Sequence, residues 1–450
     1  MKLKSLLAKF VGKSSYWFLH NFLKGGTSFP GKLAMKIDPK VLNTLASNYE
    51  TIIVTGTNGK TMTTALIVES LREKYGDILT NPSGSNMQQG IVTAFLAHKK
   101  NKSARKIAVL EVDEANVKMV TELLHPSCFV LTNIFRDQMD RYGEIYTTYE
   151  KIIDGIKLAP QATVIANGDA SIFSSVELPN PKVFFGFNLP SDQQEHDIKA
   201  PVNTDGVLCP KCNHILHYHD RIYANLGDFF CPNCNYHRPN LDYSVNEITS
   251  QTPNSLNFKM GSKSYNINIG GTYNIYNALA AYSVARYFKL TDAEVANAFA
   301  KNKRVFGRQE LINYYGKEID LILVKNPVGL DEVLHMLNTE NEDYTLVTLL
   351  NANHADGIDT SWIWDGQFED LNCDQIKKVI VGGDRWHDMG FRLEVAGFDP
   401  AKMLTCTNNE EVIDQLSKAP TQKIYILSTY TALLSLRKTM AEKKIIEAGM

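Results

Sequence analysis

The chain lacks a dominant charge, a long apolar run and enough cysteine for a disulfide framework. Among its 450 residues, 47 lysines and arginines meet 49 aspartates and glutamates, a formal net charge of −2. With a pI of about 6.6, it carries no global field to gather nucleic acid. No stretch of about 18 apolar residues is present, which excludes a helix threaded through a bilayer. A clean signal-peptide core and cleavage site are also missing from the opening MKLKSLLAKFVGKSSYWFLHNFLKGG. That basic, apolar stretch fits an amphipathic helix lying on a membrane, or the commoner case of a helix packed on the next domain. Seven cysteines are spread so that four form two Cys-x-x-Cys pairs, while Cys128, Cys373 and Cys406 stand apart. Such usage suits a reducing compartment and a metal site. A cytoplasmic protein is expected, with peripheral contact at the inner face of the membrane left open.

What is present begins with length and hydrophobicity. A 44% hydrophobic content supplies real cores, and the length allows two to four domains. The stretch VTGTNGKTMTT at residues 54–64 ends like a phosphate-binding loop, but Val54 stands where the usual pattern places its first glycine. TIIVT at 51–55 reads as a buried strand, and TMTTALIVESLREKYG as a helix ending at Gly76. Strand, glycine turn and helix present free backbone N–H groups to a phosphate. Gly56 and Gly59 permit close approach, Lys60 can neutralise terminal phosphates and the Thr61 hydroxyl can ligate Mg²⁺. Thr57, Asn58, Gly59, Lys60 and Thr61 are the candidate nucleotide contacts.

The next strand, KIAVLEVDEA (106–115), carries Glu111 near its C-terminal end, the edge where open α/β sheets bind ligands. A carboxylate there can hold a cation or simply face solvent. SCFVLTNI (127–134) delivers Thr132 and Asn133 to the same edge, followed by Asp137 and Asp140, which fit metal or ribose contacts or a capped surface helix equally well. Beyond residue 311, IDLILV, YTLVTLL, KKVIVGG and KIYILST read as strands, and LDEVLHMLN and EEVIDQLSK as helices, a second doubly wound α/β domain. The active site is expected in the cleft between the two. In NANHADGIDTSWIWDGQFE (351–369), Asp359 or Thr360 can cap a helix beginning at SWIWDG. In GGDRWHDMGFRLE (382–394), Asp384, Arg385 and Arg392 are candidates to bind phosphate or substrate carboxylates, or merely to pair with one another.

CPKC (209–212) and CPNC (231–234) are separated by 18 residues. Cys209, Cys212, Cys231 and Cys234 at this spacing close a tetrahedron around Zn²⁺, a structural site with no open position. His214, His217, His219 and His237 lie nearby, but four thiolates already saturate the ion. Two redox pairs would lack a thioredoxin-like setting. A nucleic-acid ribbon would rest on only Lys211, Arg221 and Arg238.

Taken in order, these residues resemble the Mur ligase family and the related folylpolyglutamate synthases. The shortened loop Gly56–Thr61 is joined by GSN (84–86), Glu111, TNIFRDQMDRYG with Gln138 in a usual His position, ANGDA (166–170), GTYNIYNALAA (271–281) with Tyr273 in another His position, VFGRQE (305–310) and KNPVG (325–329). The resemblance implies a Mur ligase-like central P-loop ATPase domain (46–304) with an inserted four-cysteine zinc ribbon at about 205–240. It also implies a C-terminal Rossmann-like α/β domain (305–450), after a helical segment (1–45). It assigns Asn167, Asp169, Asn274 and Arg308 to the nucleotide, and Thr61 and Glu111 to Mg²⁺. Two departures stand out: about 45 residues precede the loop where the family has a UDP-binding domain, and Asn268 occupies the place of a carbamylated lysine. A zinc ribbon with that domain missing is similar to the family's amidating subunits. The implied reaction is ATP-dependent amidation of the D-Glu α-carboxylate of a lipid II stem peptide through an acyl phosphate, with Lys60 and Glu111 catalytic. Ammonia would come from a GatD-type glutaminase subunit, into whose site an acid of this chain would reach, Asp356 first and Asp359 next. Trp362 and Trp364 suit that interface. The competing readings are a folylpolyglutamate-type amino-acid ligase and a zinc-ribbon NTPase acting on nucleic acid.

Overall fold

The computed structural model describes residues 2–22, 26–82, 84–98, 105–136, 145–190, 197–200, 206–301 and 309–447. Three helices open the chain: α1 (Lys2–Phe22), α2 (Phe29–Ile37) and α3 (Val41–Ala46). The central sheet follows, built from β1 (Glu50–Thr55), β2 (Leu79–Thr80), β3 (Ile107–Glu111), β4 (Cys128–Leu131), β5 (Thr163–Asn167), β6 (Lys182–Phe187) and β10 (Tyr243–Val245). Its order is β10-β6-β5-β4-β1-β3-β2, and every pairing is parallel. Parallel sheets are covered on both faces, so their strands read as continuous apolar runs. Ile52, Ile53 and Val54 of β1 are fully buried for this reason.

Helices α4 (Lys60–Tyr75), α5 (Gln88–Ala97), α6 (Val117–Leu124), α7 (Ile145–Lys157), α8 (Tyr273–Tyr287) and α9 (Asp292–Lys301) complete this unit. α4 begins directly after the glycine turn and ends at Gly76, whose φ of 75° closes the helix while its N–H donates to the Arg72 carbonyl. The opening helices join the same core, through Ala8, Ala34, Val41 and Leu42. An antiparallel sheet of β11 (Glu247–Thr252), β12 (Ser255–Met260) and β13 (Lys263–Ile267) precedes α8.

The inserted segment forms a small antiparallel sheet of β7 (Ile198–Lys199), β8 (His217–Tyr223) and β9 (Leu226–Phe230). Leu216, Tyr218 and Phe229 pack with Cys209 and Cys231 into a separate small core.

The last third is a six-stranded sheet ordered β14-β15-β19-β16-β17-β18. Its strands are β14 (Glu310–Tyr314), β15 (Lys317–Leu323), β16 (Tyr344–Leu349), β17 (Ile376–Gly382), β18 (Met403–Thr405) and β19 (Lys423–Ser428). The β14–β15 pair is an antiparallel hairpin; the remaining pairs are parallel. α10 (Pro327–Leu337) and α11 (Trp386–Val395) lie on one core, and α12 (Asn409–Ser417) and α13 (Tyr430–Glu442) on another. Successive β16 residues Leu346 and Val347 enter the two cores alternately, so the sheet is covered on both faces.

Candidate active site

The phosphate loop is a crossing of backbone and side-chain bonds at the C-terminal edge of the central sheet. Val54 pairs with Glu111 in the β1–β3 register, so the loop and the carboxylate emerge side by side. Gly56 and Gly59 hold φ of 128° and 85°. A Cβ on Gly59 would lie 2.2 Å from Asn277 Oδ1, and one on Gly56 2.3 Å from Thr132 Oγ1. Both positions therefore need glycine on steric as well as torsional grounds. Asn133 fixes the turn: its Oδ1 accepts from Asn58 N at 2.8 Å, and its carbonyl accepts from Thr57 N at 2.9 Å. The Thr57 hydroxyl is buried, donating to the Phe135 carbonyl and accepting from Phe135 N. Thr57 thus shapes the loop from within.

Lys60 is buried, and its Nζ donates to Gly56 O at 2.5 Å, Thr57 O at 3.3 Å and Glu114 Oε1 at 2.7 Å. Burial disfavours the ammonium, but the carboxylates of Glu114, Glu111 and Asp113 outweigh it and hold the lysine pKa above its ordinary value. Burial likewise raises Glu114, with Asp113 adding to the rise and Lys60 opposing it. Glu114 escaped the sequence reading. Its strand ends at Glu111, and the residue sits in the following 3-10 turn Glu114–Asn116 capped by Asp113. Acids fill the stretch 111–114 except at Val112; only that density hinted at it.

The Mg²⁺ candidates meet. Thr61 Oγ1 donates to Glu111 Oε2 at 2.8 Å, and Asn86 Nδ2 donates to Glu111 Oε1 at 3.3 Å. The GSN turn is thus brought to the carboxylate 25 residues later in the chain. Asn81 anchors the same point, accepting from Glu111 N and donating to its carbonyl. Hydroxyl, carboxylate and amide oxygens are the donor set that hard cations take, so these residues fit Mg²⁺.

Facing the loop is a cleft between the two sheets' domains, lined by Asn58, Gly59, Asn274, Asn277, Lys325 and Asn326 among others. Asn58 and Asn326 exchange amide bonds across it: Nδ2 of each donates to Oδ1 of the other, at 3.3 and 3.0 Å. Asn326 also caps α10 through Gly329 N. Asn274 accepts from Asn277 Nδ2 at 2.9 Å and is held to Gly270 O at 2.6 Å. Tyr223, from the ribbon hairpin, forms part of the same wall. Arg308 and the segment around Asp137, Gln138 and Asp140 lie outside the described residues.

Several expected residues stand elsewhere. Asn167 and Asp169 are fully buried and do not line the cleft. Asn167 donates to Thr132 O and accepts from Asp169 N. Asp169 accepts from Phe187 N, Tyr276 OH and Arg238 Nη1, joining β6, α8 and the ribbon. These three bonds tie the ANGDA motif into the surrounding domain. Asp356 is engaged within this chain. It is 5% exposed, accepts from Thr431 N at 2.7 Å and Asn353 N at 3.1 Å, and bonds the Thr431 hydroxyl. It caps the start of α13. Asp359 is exposed and accepts from Ser361 N and Oγ. It caps a 3-10 turn, Ser361–Trp364, where the sequence suggested a helix start. Arg392 is buried and donates to Ile363 O, Gly366 O and Glu369, clamping the Trp-rich loop. Asn268 is exposed and donates to Ala300 O.

The four cysteine sulfurs lie within 4.8 Å of one another. Cys209 and Cys234 are 3.7 Å apart, and Cys212 and Cys231 3.5 Å. A tetrahedron with Zn–S bonds of about 2.3 Å has edges of about 3.8 Å, so the thiolates fit Zn²⁺. Among the described residues no histidine joins this cluster.

Comparison with solved structures finds the same fold in several proteins of low sequence identity. A pseudomurein peptide ligase type C from Methanothermus fervidus superposes with a TM-score of 0.66 at 18% identity, covering 90% of this chain and 81% of that one. MurF ligase from Thermotoga maritima in complex with ADP gives 0.60 at 14% identity, covering 91% and 85%. Folylpolyglutamate synthase from the same organism gives 0.57 at 15%, covering 90% and 94%. The family model "Mur ligase middle domain" matches residues 54–221, and "MurT ligase C-terminal" matches 323–433. Lipid II isoglutaminyl synthase (glutamine-hydrolyzing) subunit MurT of Streptococcus pneumoniae is 45% identical over 450 residues, the whole of both chains. Its counterpart in Staphylococcus aureus is 34% identical over 83% of this chain and 84% of its own. The chain belongs to the Mur ligase family, among its MurT members.

Proposed function

We propose that this protein is the synthetase subunit of a lipid II isoglutaminyl synthase, converting the D-Glu α-carboxylate of the stem peptide to D-isoglutamine. The full-length likeness to MurT of S. pneumoniae carries this reading, and the loop geometry supplies the chemistry. A carboxylate does not react with ammonia at neutral pH. Transfer of the γ-phosphoryl of ATP makes it electrophilic; ammonia then attacks, and phosphate leaves. Positioning and charge neutralisation are the main demands. Thr61 and Glu111 would hold Mg²⁺, which would supply charge neutralisation for the phosphates. Lys60, kept charged by Glu114, faces the terminal phosphates once it exchanges the Gly56 and Thr57 carbonyls for them. Asn58, Gly59 and Asn274 line the cleft proposed for the nucleotide, and the family resemblance assigns Arg308 to the nucleotide as well. The zinc of the four-cysteine ribbon has a structural role.

We read the covered six-stranded sheet as the Rossmann-like C-terminal domain, with the domain border at 304/305. Ammonia would come from a GatD-type glutaminase. Asp359 is the residue of this chain offered to that partner's site, because its exposure leaves it free to cross an interface while Asp356 is spent on α13. The decisive experiment combines the purified chain, its glutaminase partner, glutamine, ATP and lipid II carrying ¹⁸O in the D-Glu carboxylate. Isoglutamine and ¹⁸O-labelled phosphate are expected. Product formed with a free amino acid in place of ammonia would instead mark an amino-acid ligase.

A further inference from the structure

Helix α1 is built the wrong way round for a surface helix of a globular protein. Its inward face is small: Ser5, Ala8 and Gly12 are buried, and a Cβ on Gly12 would meet Leu96 Cδ1 at 2.6 Å and Ala34 Cβ at 3.1 Å. Its large apolar residues point out. Leu3, Leu6, Leu7, Phe10, Trp17 and Phe18 are each at least 53% exposed, Leu3 reaching 82%. Spacings of three and four residues set them on one stripe. Single exposed apolar side chains are ordinary, but a continuous stripe marks an interaction surface.

Charge identifies the occupant. Residues 1–37 contain seven lysines and no acid, although the whole chain has 47 basic and 49 acidic residues. Lys4 and Lys13 are exposed beside the stripe. A second copy would set two such basic segments against each other, which like-charge repulsion opposes. An anionic lipid surface complements both features: aromatic and aliphatic side chains enter the acyl boundary while the lysines meet headgroups. Among the described residues no helix is long and apolar enough to cross a membrane, so α1 can only lie along one.

We propose that α1 is an interfacial anchor for an anionic phospholipid bilayer. The fold places this anchor beside the candidate active site. α2 packs on α5 so tightly that a Cβ on Gly31 would fall 1.9 Å from Gln89 O, and α5 starts just after Asn86, the amide donor to Glu111. A substrate headgroup tethered in the same bilayer would reach the loop without leaving its membrane. The geometry of α1 carries the anchor whether or not the amidation reading holds.

The test uses the full chain and vesicles free of lipid-linked substrate. Phosphatidylcholine vesicles with roughly one-third phosphatidylglycerol are compared with pure phosphatidylcholine by co-sedimentation. The wild type should sediment with the anionic vesicles. The pair Lys4→Gln/Lys13→Gln should lower the partition coefficient about thirtyfold, and Phe10→Glu/Trp17→Glu should abolish binding. Both variants should keep the wild-type melting temperature and nucleotide hydrolysis. Wild type left in the supernatant overturns the proposal. So does a dimer by light scattering that Phe10→Glu/Trp17→Glu makes monomeric, or loss of co-elution with the glutaminase in that variant. Failure of amidation with intact vesicle binding counts against the function alone.

Discussion

At the residue scale the site turns on one buried ammonium. Lys60 lies among Glu114, Glu111 and Asp113, and its retained charge is what a triphosphate requires. Lys60→Ala should reduce ATP turnover by about a thousandfold or more, because a cation positioned on the transferring phosphoryl is lost; phosphate release measured with excess substrate reads this directly. Glu114→Gln keeps the hydrogen bond but removes the counter-charge, so turnover should fall by about tenfold to a hundredfold with the fold intact. A variant indistinguishable from wild type would show that Glu114 does not hold Lys60 for catalysis. A second titrating site flanks the cleft. Burial pushes the Asp331 carboxyl to about 6, Glu332 and Asp370 adding to the rise while Gln367 N–H and His335 oppose it. The native state then binds this proton more tightly than the unfolded chain, so its contribution to stability falls as pH rises from about 4 to about 6. Asp331→Asn removes that slope and should be the more stable protein at pH 7 by on the order of 2 kcal/mol. Thermal unfolding of both proteins at pH 5 and pH 7 checks the sign: the gap should open at the higher pH.

Elements explain which parts of the site were legible in the sequence. Strands β1 and β16 announced themselves because parallel strands buried on both faces read as unbroken apolar runs. The glycine loop was equally plain, since Gly56 and Gly59 have no room for a Cβ. The cysteine ribbon followed from spacing. What did not show was orientation. Asp169 and Asp356 sit in motifs that look exposed and polar, yet tertiary contacts bury both and bond their carboxylates, to Arg238, Tyr276 and Phe187 in one case and to Thr431 in the other. Short polar loops carry no periodicity from which burial can be read. Glu114 was missed because it lies in a turn beyond the strand that framed Glu111. The cap role of Asp356 is itself testable. Asp356→Ala strips two α13-side bonds and a buried acceptor, and should cost about 2 kcal/mol of stability. Thermal melts should show it, with glutamine-driven and ammonia-driven amidation falling together.

At the scale of the whole molecule, two covered sheets meet over a cleft whose only reciprocal amide pair, among the described residues, joins the phosphate loop to the first turn of α10 through Asn58 and Asn326. The ribbon contributes Tyr223 to the wall and is tied by Arg238 to Asp169. The phosphate loop, Glu111 and the cleft wall are thereby gathered within this chain, and among the described residues no cysteine lines the cleft. Cys128 and Cys406 are buried, and the exposed Cys373 follows the Trp-rich loop in the chain. On the proposed reading ammonia comes from a partner subunit, and the face bearing exposed Asp359 and Trp364 is where it would dock. The two ammonia sources separate the roles. Asp359→Ala should abolish amidation driven by glutamine in the assembled complex while leaving amidation driven by added ammonium salt within about twofold, since its hydrogen bonds reach no further than Ser361. Equal loss from both sources would place Asp359 in the ligase chemistry, and no loss from either would move the glutaminase contact to another residue of the same loop.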